Sequence, residues 1–159
     1  MLSRLLHQPY LINFIFQRIL RINSSAPFSV HYTSQIYNGD RVKIGEITKK
    51  YMANAGSAYY HGLNGIEIGE GTIIAAGVKI ISTGHCFDDY SSLLIGEQYK
   101  IEIGFKCWLG SNCVILPGVK LGNRVVVAAG AVVDRSFSEN CCVIGGVPAR
   151  IIRKLDDDQ

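Results

Sequence analysis

One histidine in this chain stands where an imidazole could act as a base. His85 follows Gly84 in the stretch from Ser82 to Glu102, which also carries Asp88, Asp89 and Tyr90. An imidazole titrates near neutrality, so a positioned histidine can take the proton from a hydroxyl that is becoming a nucleophile. Asp88 or Asp89 could orient the ring through its other nitrogen, or either could be a solvated loop charge. His61 lies 24 residues earlier, among Tyr59, Tyr60 and Asn64. Tyr60, His61 and Asn64 offer hydrogen bonding and a flat surface suited to a sugar ring; the competing reading is aromatic packing at a subunit contact. A basic set, Arg135, Arg150, Arg153 and Lys154, gathers towards the C-terminus. Planar guanidinium donors suit phosphate oxygens, and the bland alternative is a solvated tail balanced by nearby aspartates.

The elements that must hold these residues are set by a period of six. Ile68, Ile74 and Ile80 form one block on this grid, and Ile103, Leu109, Ile115, Leu121, Val127 and Val133 form a second. Small or compact residues such as Thr72, Val78, Cys107, Cys113 and Ala131 follow four positions later. Six is neither the helical period nor the strand period, so the pattern is a hexapeptide repeat winding short strands into a parallel β-helix. From Ile80 to Ile103 is 23 residues, which breaks the phase. The stretch 82–102 must therefore leave the coil as a protruding loop, and functional side chains concentrate on such loops. Ile44 precedes Ile68 by 24 residues, so coiling begins near Val42, with 46–65 as an irregular early coil. From Pro148 a short C-terminal segment is expected to become helical at Arg150. The period leaves the handedness open.

With 159 residues, 48% of them hydrophobic and 18% charged, the chain is long and apolar enough for one packed domain, 23–155, after an appendage. A net charge of +3 without a long basic run argues against nucleic acid and for a small anion. The five cysteines have no CxxC spacing; Cys107 and Cys113 fall at inward positions as apolar filler. The odd count reads as a reducing cytosol, with a disulfide pair as the weaker alternative. Residues 1–22 mix Leu, Ile and Phe with Arg4, Arg18 and Arg21, and are too interrupted to span a bilayer. They read as an amphipathic helix that caps the first coil, or as a membrane-surface anchor; length and composition favour the cap.

The stretches ISTGHCFDDY, IEIGFKCWLGSNCVILPGVKLGNRVVVAAGAVVDRSF and VIGGVPARIIRKL together resemble the left-handed β-helix acyltransferases with hexapeptide repeats. The likeness is strongest to the sugar O-acetyltransferases, the galactoside and maltose enzymes and those of capsule, lipopolysaccharide and colanic-acid synthesis, and it runs from about Ile66 to Leu155. It implies a left-handed parallel β-helix, an all-β fold, assembled as a homotrimer with active sites between subunits and acetyl-CoA as acyl donor. It implies that His85 is the catalytic base. It places Trp108, Ser111, Ala129, Arg135, Arg150 and Arg153 along the acetyl-CoA groove. Asp134 stands where the family commonly has Thr and is assigned no contact. Residues 54–64 lack equivalents of the sugar-binding Asn and Asp of the galactoside enzymes.

The implied activity is transfer of an acetyl group to a hydroxyl of a sugar or polysaccharide precursor, in the cytoplasm or at a membrane periphery. The acceptor alternatives are an amino-sugar nitrogen or serine. A metalloenzyme of the γ-carbonic anhydrase type needs three histidines per metal, and only His61 and His85 lie among the coils. A non-catalytic trimeric scaffold is the third class, and His85 and the basic tail argue against it.

Overall fold

The computed structural model describes residues 9–156, so the first eight residues of the expected N-terminal helix lie outside it. The chain from Gln35 winds through five stacked turns. The first contains β1 (Gln35–Tyr37), β2 (Val42–Ile44) and a helix, α2 (Glu46–Asn54); the second contains β3 (Tyr59–His61), β4 (Ile66–Ile68) and β5 (Ile73–Ile74). The third has β6 (Lys79–Ile81), β7 (Ile101–Ile103) and β8 (Trp108–Leu109), and the fourth β9 (Val114–Ile115), β10 (Lys120–Leu121) and β11 (Val125–Val127). The last has β12 (Val132–Val133), a bridge at Phe137, and β13 (Cys142–Gly146). With a final strand, β14 (Ala149–Lys154), three sheets form the walls, in the orders β1-β3-β6-β9-β12, β10-β7-β4-β2 and β14-β13-β11-β8-β5, with every pairing parallel except β13–β14. Three parallel sheets wound in this way are the walls of a parallel β-helix.

The repeat works because each inward side chain sits on its counterpart one turn away. Ile36, Tyr60, Ile80, Ile115 and Val133 make one buried column; Ile68, Ile103 and Leu121 another; Ile74, Leu109, Val127 and Ile144 a third. Close stacking also explains the glycine after each second-sheet strand. A Cβ on Gly69 would lie 2.5 Å from the Phe105 nitrogen, and one on Gly122 would lie 2.6 Å from the Glu139 carbonyl oxygen. Cys107 and Cys113 are buried filler at the corners, and burial pushes the Cys113 thiol up to about 12.

Two departures from expectation concern the irregular parts. Residues 46–54 form a helix, not coil. Thr48 and Met52, one helical turn apart, are buried, and Thr48 Oγ1 donates to the Gly69 carbonyl (3.0 Å) while accepting from Thr72 N (3.1 Å). The helix thus takes the place of a third-sheet strand in the first turn. The C-terminal segment is strand rather than helix: β14 (Ala149–Lys154) turns back on β13 as an antiparallel hairpin. β-Branched Ile151 and Ile152 after the Gly146-Val147-Pro148 turn suit extended backbone. At the N-terminus, α1 (Tyr10–Phe14) continues as a π-helical turn (Ile15–Ile19).

Candidate active site

The loop that carries His85 leaves the corner between the first and second sheets and is tied down at its base. Gly84 and Leu94 face each other, Leu94 N donating to the Gly84 carbonyl (2.8 Å), and Cys86 N donates to the Ser92 carbonyl (3.0 Å). Asn64, from the turn below, clamps this base. Its Nδ2 donates to the Ser82 carbonyl (2.6 Å) and the Leu94 carbonyl (2.7 Å), and its Oδ1 accepts from Gly96 N (2.9 Å). Thr83 Oγ1 adds a bond to the Leu94 carbonyl (2.9 Å). Asn64 is therefore a structural clamp with its polar atoms committed, not a free contact for an acceptor.

His85 is exposed, and its Nδ1 lies 2.6 Å from the Tyr90 carbonyl oxygen. A carbonyl can only accept, so this contact puts the proton of the neutral ring on Nδ1 and leaves the Nε2 lone pair free. The expectation that Asp88 or Asp89 orients the ring is corrected. Asp89 instead shapes the loop tip, accepting from Ser91 N (3.0 Å), Ser91 Oγ (2.6 Å) and Ser92 Oγ (2.5 Å), bonds that hold its carboxyl below the usual range. Asp88 is exposed on the tip. By fixing the turn on which Tyr90 sits, Asp89 acts at one remove from the ring.

The expected acceptor surface divides. Tyr60 points into the core between Ile36 and Ile80 and is fully buried, which corrects its assignment as a binding residue. Strand residues alternate faces, so its neighbours Tyr59 and His61 point outward. His61 stacks on Tyr37 with ring centroids 5.5 Å apart, and Tyr59 completes the cluster. Burial lowers the His61 pKa. His61 pairs with Ile81, so the 24-residue spacing does not stack it on His85, which lies four residues further along the loop.

The remaining candidates follow the third sheet and its edges. Trp108 is 52% exposed on the outer face of β8, between Ile73 and Val126 of the adjoining turns. Ser111 and Ala129 are exposed on the next corner, where the Ser111 carbonyl accepts from Gly130 N (2.9 Å). Arg135 and Arg150 line one open cleft with Phe137, Glu139 and Ile151. The Arg135 guanidinium lies 5.4 Å from the centre of the Phe137 ring, and Arg150 donates to the Ala149 carbonyl (2.7 Å). Arg153 stands opposite Val143 on β14, outside that cleft's lining. The second sheet looks different: its outer face is a ladder of Lys43, Glu67, Glu102 and Lys120, with ion pairs of 2.9–3.3 Å that include Lys100. Among the described residues, no cluster of three or more His, Cys, Asp or Glu side chains could hold a metal ion.

Comparison with known proteins agrees with this architecture. The family model described as bacterial transferase hexapeptide (six repeats) matches residues 100–135. The galactoside O-acetyltransferase of Escherichia coli K12 is 38% identical over 94 residues, covering 58% of this chain and 45% of that protein. A maltose O-acetyltransferase from Clostridium difficile 630 superposes with a TM-score of 0.63 at 29% identity, covering 78% of this chain and 64% of the other. A hexapeptide-repeat acetyltransferase from Vibrio cholerae, solved with acetyl-coenzyme A, gives a TM-score of 0.60 at 26% identity, over 78% and 66% of the two chains. The chain thus carries the hexapeptide repeat of the bacterial transferases. It is similar to galactoside and maltose O-acetyltransferases, and it spans about half the length of the curated relatives it matches.

Proposed function

We propose that this protein is an acetyl-CoA-dependent O-acetyltransferase with His85 as general base and a sugar or polysaccharide-precursor hydroxyl as acceptor. The observation that carries this reading is the pairing of His85 Nδ1 with the Tyr90 carbonyl on an exposed, clamped loop, which leaves Nε2 as a lone-pair acceptor. The acceptor hydroxyl gives its proton to Nε2 as its oxygen attacks the thioester carbonyl carbon. The tetrahedral adduct collapses with cleavage of the C–S bond, and the departing thiolate of CoA takes up the proton from the imidazolium. The acetyl group ends on oxygen, and the histidine is regenerated neutral.

The donor's place is proposed along the outer face of the third sheet. Trp108 supplies an apolar surface for the pantetheine arm, Ser111 and Ala129 offer corner backbone groups, and Arg135 and Arg150 offer guanidinium donors to phosphate. Arg153 is kept as a peripheral charge. A relative named galactoside O-acetyltransferase, and a neighbour solved with acetyl-coenzyme A, support this reading. In the proposed assembly three chains form a ring, with each loop completing a site against a neighbour's third sheet. The test is incubation with acetyl-CoA and a panel of sugars, amino sugars and serine, following free CoA and product mass. A mass gain of one acetyl group on a hydroxyl-bearing sugar supports the proposal. Exclusive acetylation of an amine, or no CoA release above hydrolysis with any acceptor, overturns it.

A further inference from the structure

The N-terminal helix is docked with its polar side inward. Asn13 and Gln17 are 0% and 4% exposed, whereas Leu11, Phe14, Ile19 and Leu20 on the same stretch are 65%, 56%, 66% and 55% exposed. The two amides are fully engaged with the body of the protein. Asn13 Nδ2 donates to Ser29 Oγ and to the Ala53 carbonyl (both 3.0 Å), and its Oδ1 accepts from Tyr32 N (2.9 Å). Gln17 Nε2 donates to the Phe28 carbonyl (3.0 Å) and its Oε1 accepts from Val30 N (2.9 Å). Rotating the helix to bury its apolar side would strand these groups, each a costly loss in a buried setting. The outward apolar face is therefore built into the docking. An apolar face of this size is expected to have an occupant other than water.

The charge pattern identifies that occupant. No Asp or Glu occurs before Asp40, while Arg18 and Arg21 lie within the apolar stretch. A second copy packed face to face would bring these arginines together, whereas an anionic surface would neutralise them. Tyr10 and Phe14 contribute aromatic rings of the kind that settle at a lipid interface, and no helix among the described residues is long and apolar enough to cross a membrane. We propose that residues 10–22 hold this protein on an anionic phospholipid surface. Leu11, Phe14, Ile15, Ile19 and Leu20 enter the boundary between headgroups and acyl chains, and Arg18 and Arg21 meet lipid phosphates. This inference is independent of the activity proposed above.

The experiment is co-sedimentation of the whole protein with vesicles of phosphatidylcholine alone or mixed with phosphatidylserine. The wild type should bind the mixed vesicles and release as salt is raised. Arg18→Glu with Arg21→Glu should weaken binding by at least roughly tenfold, since each basic residue contributes on the order of a fewfold near such a surface. Leu11→Ser with Ile19→Ser should abolish it, with thermal midpoints unchanged because all four side chains project from the packed body. Failure of the wild type to bind, or equal binding to neutral vesicles, overturns the proposal. So does a change of solution mass in the serine variant, which would mean that another copy of the chain covers the face.

Discussion

The corner between the first and second sheets is crossed in successive turns by very different lengths of chain. In the fourth turn, Ile115 reaches Leu121 in six residues; in the third, Ile80 reaches Ile103 in 23. Both crossings join the same two buried columns, so the walls do not register the difference. What differs is where the residues are spent. The short crossing keeps Val119 buried within a tight turn, while the long one exposes Phe87, Tyr90 and His85 and anchors them through Asn64. The packed wall and the exposed loop thus occupy separate stretches of one turn, and each can be perturbed alone.

The largest expected effect comes from making the two crossings alike. Replacing residues 81–102 by the five residues 116–120 puts Leu116 in the place of Ile81 and Val119 in that of Ile101, by the observed register. Acetyl transfer should vanish while circular dichroism keeps the β-rich spectrum; an unfolded product would show that the loop belongs to the scaffold. His85→Ala should lower turnover by about 10²–10⁴-fold with an unchanged thermal midpoint, the usual contribution of positioned proton transfer. Near-normal activity would remove His85 from the mechanism. On the wall, Leu109→Ala should cost about 2–5 kcal/mol in denaturant unfolding, because it empties the fully buried third column. Asn64→Ala should leave global stability nearly intact and lower kcat by roughly tenfold through loss of loop placement, with donor KM held. Faster hydrogen exchange at Gly84 to Leu94 would show its origin, and a rise in KM alone would reassign Asn64 to binding.

The smallest effect is a pH dependence on the wall side of the same corner. Burial lowers the His61 pKa in the folded state, so below the ordinary value of 6.5 the unfolded chain binds more protons than the native one. Stability should be constant above that value and should fall as pH drops from it towards the depressed folded value. His31 is shifted the same way, so His61→Asn should reduce the slope without abolishing it. Identical urea midpoints across this range in wild type and variant would show that His61 stays solvated in solution.

Legibility followed the same division. The inward columns from Ile66 to Val133 could be read because their residues repeat without exception on each side of the break, and the break itself pointed to His85. The orienting partner of His85 could not be read, because a main-chain carbonyl carries no side-chain signature. Tyr60 falls on the inward face against expectation because the first-sheet strands of the first two turns stand off the grid: Ile36 to Ile44 and Tyr60 to Ile68 take eight residues each, not six. Helix α2 offers only nine residues, too few for its Thr48–Met52 face to declare a period. Arg150 to Lys154 has neither clean alternation nor a helical stripe, and the hairpin arises from pairing with β13.

The register numbers carry a consequence for the chain before it folds. Pairing β7 with β4 closes 35 residues, whereas pairing β10 with β7 closes 18. Closure entropy grows only with the logarithm of length, about 0.6 kcal/mol for each doubling. The excursion that holds His85 therefore adds little to the work of winding the coil, less than the loss of one buried methylene from its core. A corner of this kind can lengthen, shorten or change its side chains almost free of the scaffold's thermodynamics, which makes it the place where proteins that share these walls can diverge.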